Sequence, residues 1–88
     1  MKDFPILKDP QVVLVHAEYN TGYVLDDTFN LYTGEEAQKK FKIFNNLEQA
    51  ITYIKSILSI RKDIEMIVYN SNEEVVYYTR WKEKDNGP

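Results

Sequence analysis

Residues 46–62, NLEQAITYIKSILSIRK, constrain the fold of this chain more than any other stretch. Apolar side chains fall at Leu47, Ala50, Ile51, Ile54, Ile57 and Leu58, at intervals of three, one, three, three and one. That spacing lines them up on one stripe of a helix with about 3.6 residues per turn. Asn46 is the expected N-cap, because its side-chain oxygen can accept from a free backbone N–H of the first turn, and Gln49 completes a capping box. Glu48 suits the positive end of the helix dipole, and Arg61 and Lys62 suit the negative end. A helix with one apolar stripe must lay it against another layer.

Strands are the natural partner. Aromatic residues make up 14% of the chain and include seven tyrosines, a residue type suited to pleated, half-buried surfaces. Residues 11–19, QVVLVHAEY, alternate as a strand, with Val13, Val15, Ala17 and Tyr19 on one face and Val12, Leu14, His16 and Glu18 on the other. Asn20-Thr21-Gly22 is a turn signal, and Tyr23-Val24-Leu25 reads as the returning strand. Phe29-Asn30-Leu31-Tyr32 has strand character. Thr33-Gly34-Glu35-Glu36 reads as a turn, with a short capped helix as the alternative, and Phe41-Lys42-Ile43-Phe44 as a strand running into the helix cap. Beyond the helix, Ile64 to Tyr69 and Val75 to Trp81 form a hairpin around a polar loop. In the second of these strands Val75, Tyr77, Thr79 and Trp81 are expected on one face, and Val76, Tyr78 and Arg80 on the other.

The expected architecture is a two-layer α+β domain: an antiparallel sheet of four to five strands with one amphipathic helix packed on one face. Eighty-eight residues suffice for one such core. Residues 1–10, with Pro5 and Pro10, read as an extended N-terminal arm in which Phe4, Ile6 and Leu7 can tuck against the domain. Residues 11–82 form the domain, and the charged residues 83–88 a frayed tail.

Composition removes several function classes. With no cysteine, disulfides, thiol nucleophiles and Cys-ligated metal sites are excluded. No run approaches the roughly 18 apolar residues of a membrane span, and the N-terminus lacks the apolar core of a signal peptide, so a cytoplasmic protein is expected. The net charge of −3 is unevenly spread: residues 1–37 carry two lysines against seven acids, and residues 38–62 six bases against Glu48. The isolated glycines form no phosphate loop, and no cofactor is expected.

The run FNNLEQAITYIKSI followed by IEMIVYNSNEEVVYY resembles small bacterial β-β-α-β-β domains of unknown function, which combine a strand ending in Phe, a capped helix and a closing hairpin. The resemblance covers residues 41–80 and implies the fold; such families carry no established chemistry. Asn72-Glu73-Glu74 stands where they have Asp-Gly or Asn-Gly, and the acidic stretch before Phe41 departs from the pattern.

Few side chains are arranged for chemistry. His16 is the sole histidine; with only Glu18 beside it on its strand face and no nucleophile signature, it reads as a half-exposed strand residue. Asp26, Asp27, Glu35 and Glu36 lack the spacing of a hard-cation loop and read as solvated loop acids or an acidic patch for a basic partner. Tyr53 and Ile60 widen the helix stripe beyond what a sheet alone requires, and the excess is expected under the N-terminal arm or against another subunit. With Tyr77, Tyr78, Arg80 and Trp81 they make up the expected interaction surface. The leading expectation is a non-enzymatic protein-interaction module that forms a homodimer. The alternatives are a toxin-inhibitor or immunity protein acting through the acidic patch, and, as the minor reading, a single-stranded nucleic-acid binder using the Tyr/Arg/Trp strand with Lys82 and Lys84.

Overall fold

The computed structural model describes residues 4–81. The frayed tail expected at residues 83–88, with Lys82 and Lys84, lies outside them. The described residues form one antiparallel sheet of five strands and one helix, a compact α+β fold. In chain order the elements are β1 (Val12–Glu18), β2 (Val24–Leu25), β3 (Phe41–Phe44), α1 (Leu47–Leu58), β4 (Ile64–Tyr69) and β5 (Val75–Arg80).

β1 is the centre. One of its sides is shared by β3, opposite Val12 to Val15, and β2, opposite His16 and Ala17. β4 pairs along the other side, and β5 lies beyond β4 at the sheet's edge. Flanked on both sides, β1 buries every residue from Val12 to Ala17.

The pairing register sorts side chains onto two faces. Val12, Leu14 and His16 lie opposite Phe44, Val68, Met66 and Leu25, on the face that α1 covers. There Ala50 and Ile54 of the helix close the core with Leu14, Ile64, Met66 and Val68, while Leu47, Tyr53, Ile57 and Leu58 pack around them. Val13, Val15 and Ala17 lie on the opposite, outer face with Phe41, Ile43, Val24, Ile67 and Tyr69.

The helix keeps its expected stripe but is shorter than 46–62 suggests. Asn46 Oδ1 accepts from the Gln49 backbone N–H at 2.9 Å, as a cap should. The Gln49 side chain instead accepts from the N–H of Asn45, one residue before the cap. After Leu58, Ile60 N bonds to Ile57 O, a tightened last turn that ends the helix. Ile60 thus lies beyond the helix and is 74% exposed. Arg61 turns to Asp63 with two bonds of 3.1 and 3.2 Å rather than resting on the helix terminus.

Two strand expectations are corrected. Phe29 to Tyr32 contributes only one bridge, Leu31 to Leu25. The cause is local: Asp26 Oδ1 accepts from the N–H groups of Thr28 and Asn30 and from the Thr28 hydroxyl, winding the backbone into a loop. In β5, Val75 lies opposite Tyr69 but Tyr77 lies opposite Val68, so Val76 is an extra residue. This bulge takes Val75 off the face of Tyr77 and onto that of Tyr78 and Arg80.

The arm is likewise only partly as expected. Phe4 packs edge-on against Phe41 at 5.9 Å and Tyr69 at 6.0 Å, on the outer face, so the arm does not lie over the helix stripe. Ile6, two residues on, is 98% exposed.

Candidate interaction surface

One face of the sheet carries the helix; on the other, among the described residues, Phe4 rests against Phe41 and Tyr69. Phe4 roofs the end of the outer face near Val13, which has no exposure. Beyond Phe4 the face sinks into a trough of about 270 Å³. Its floor is Val15 and Ala17, the small residues of the central strand, and its walls include Phe41 from β3 and Ile67 and Tyr69 from β4. The depression follows from side-chain size: bulky residues on β3 and β4 stand above two small ones on β1. Lys40 and Glu65 place opposite charges on the lining. Past Val24 the surface continues into a second cavity of about 420 Å³ lined by Tyr23, Val24, Leu31 and Tyr32. Tyr23 is 61% exposed and Leu31 51%, so apolar area extends along this rim.

Of the residues singled out in the last strand, the structure brings Tyr78 and Arg80 together on the outer face. The Tyr78 hydroxyl donates to Glu65 Oε2 at 2.8 Å, and that bond to a carboxylate raises its pKa. The Arg80 guanidinium stacks over Tyr19, 4.2 Å from the ring centre. These engagements leave less of Tyr78 and Arg80 for stacking bases or holding phosphates. Tyr77 of β5 and Tyr53 of the helix itself are placed elsewhere, packed against the core. Trp81 is half-buried beneath the Lys62 ammonium at 4.9 Å. The six residues expected to form one interaction surface are therefore divided between two faces of the sheet and a loop.

His16 is corrected from half-exposed to fully buried. Its Nε2 shares a 2.8 Å hydrogen bond with the Tyr53 hydroxyl, and the Phe29 ring stands edge-on at 4.9 Å. Among the described residues Nδ1 has no hydrogen-bond partner. Burial is the main cause that lowers its pKa from 6.5 to about 4; Lys42 adds to it, and Asp27 and Asp26 oppose it. Glu18 does not orient the imidazole and instead accepts from the Thr21 hydroxyl at 2.9 Å. Phe29 reaches His16 with φ of 68°, a left-handed conformation uncommon for an aromatic residue.

The expected acidic patch loses one member. Asp26 is buried, and besides Thr28 and Asn30 it accepts from Gln38 Nε2 at 3.1 Å. These bonds, led by that from the Thr28 hydroxyl, bring its pKa down to about 2. Asp27, Glu35 and Glu36 remain on the surface. Among the described residues no group of three or more His, Asp or Glu is placed to hold a metal ion, and no helix is long and apolar enough to cross a membrane.

The trough was not visible as a motif, because its walls come from strands that are distant in sequence. The available signal was the small pair Val15 and Ala17 in a strand otherwise read as core. No protein-family model, curated protein or solved structure matches this chain.

Proposed function

We propose that this chain is a small non-enzymatic protein-interaction module that self-associates through the sheet face opposite its helix. The observation that carries the reading is the trough over Val15 and Ala17, an apolar depression flanked by aromatic side chains on the uncovered side of the sheet. Exposed apolar area around it, including Ile43 at 48% and Tyr78 at 50%, suits a docking surface more than an isolated solvent face. Pairing through the β5 edge is the weaker route, because the bulge at Val76 interrupts the row of groups that a second strand would need.

Sedimentation equilibrium tests this reading. The wild-type chain is expected to show a concentration-dependent dimer. Ile43→Glu and Tyr78→Lys, the second keeping a favourable partner for the neighbouring Glu65, should shift it to monomer while the thermal melt remains cooperative. A monomer at all concentrations, or variants that dimerise as well as wild type, would refute it.

A further inference from the structure

Of residues 27–31, Phe29 alone packs against the core; Asp27, Thr28, Asn30 and Leu31 are exposed. The backbone here closes on itself. The N–H groups of Thr28 and Asn30 donate to Asp26 Oδ1, that of Phe29 to Asp26 O, and that of Asp26 to Asn30 O. Its bonds outward, from Asp27 N–H to Lys39 O and from Gln38 Nε2 to Asp26 Oδ2, stay within the stretch between β2 and β3. The unit can therefore lift without breaking the β1–β4 ladder. Phe29 holds it down from a left-handed backbone, φ 68°, whose strain favours release.

The Phe29 ring stands edge-on to His16, and the Arg61 guanidinium lies 5.1 Å from the centre of that ring. An imidazolium carries a proton on each nitrogen. Nε2 meets the Tyr53 hydroxyl of α1, but the buried Nδ1 has no partner among the described residues, so its N–H would be left unmet. Lys42 of β3 also opposes the charge, and Asp26 and Asp27 of the loop favour it without outweighing burial. Leu25 of β2 and Met66 of β4, opposite His16 in the sheet, are uncharged.

We propose that residues 26–30 form an acid-responsive latch, in which protonation of His16 releases Phe29 and admits water to the imidazole while sheet and helix stay folded. Opening takes up a proton, so it becomes more favourable as the pH falls from 6.5 toward 4. Asp26 titrates below this window, at about 2.

Amide hydrogen exchange at pH 7 and pH 5, corrected for intrinsic rates, tests the latch. The Phe29 and Asn30 amides should open on the order of tenfold more at pH 5, at rates unchanged by low urea. Amides of the β1–β4 ladder should exchange far more slowly and accelerate with urea. His16→Gln should abolish the pH response of the loop. In Phe29→Ala the imidazole, the sole histidine of the chain, should titrate by NMR near 6.5 instead of about 4, with the ladder still protected. Loop and ladder amides that exchange together with one urea dependence would overturn the latch. So would a loop response that survives in His16→Gln, or an imidazole in folded Phe29→Ala that still titrates near 4. Should Phe29→Ala not fold, the exchange pattern of the wild type decides alone.

Discussion

Burial holds the His16 imidazole neutral down to about pH 4, against an ordinary value of 6.5. The unfolded chain therefore takes up a proton below 6.5 that the folded chain refuses until about 4. The stabilising contribution of neutral His16 is complete above 6.5, falls as the pH drops through this window, and is exhausted below about 4. Its size is about 3 kcal/mol, an order-of-magnitude figure. Asp26, lowered from 3.8 to about 2, acts in the same direction at more acid pH, because its stabilisation is lost as the carboxylate protonates. Urea unfolding at pH 7, 5.5 and 4.5 should show stability falling with acid, and His16→Gln should flatten that slope. A slope unchanged in the variant would contradict the assigned role. The sequence displayed His16 in line with Leu14 on one strand face, but not its burial. That depends on Tyr53, 37 residues away, and on the left-handed Phe29.

At the level of elements, the helix and the closing hairpin were legible, because each is a local pattern: a stripe with a cap, and two β-rich runs around a polar loop. The hairpin shows how the loop works without glycine. Asn70 Oδ1 accepts from the N–H groups of Asn72 and Glu74, and Glu73 N bonds to Asn70 O. Glu73 then takes φ of 61°, the position at which three-residue hairpin loops favour glycine. Glu73→Gly is expected to raise stability by up to about 1 kcal/mol by relieving that conformation, read as a higher urea midpoint. A lower midpoint would show that contacts of the Glu73 side chain outweigh the backbone strain. The segment from Asp26 to Lys40 was least legible. Its course is set by one buried carboxylate gathering donors up to Gln38, an arrangement that propensity does not encode.

For the whole molecule, the layered α+β class followed from local patterns, but the strand order did not. β1 pairs with β4, some 50 residues away, and shares its other side between β2 and β3. This arrangement buries β1 on both flanks and gives the sheet two unlike faces, one sealed by α1 and one with a trough. Of the interaction residues expected from sequence, Tyr78 and Arg80 lie on the open face, while Tyr53 and Tyr77 belong to the core. In the proposed self-association, the face opposite α1 is where a second copy docks. Its most direct test is a dilution series followed by backbone amide NMR. Concentration-dependent shifts are predicted at Val15, Val24, Phe41, Ile67 and Tyr69, with the exposed helix positions Glu48, Thr52 and Lys55 unmoved. Shifts confined to the helix, or none at any concentration, would rule out docking through this face.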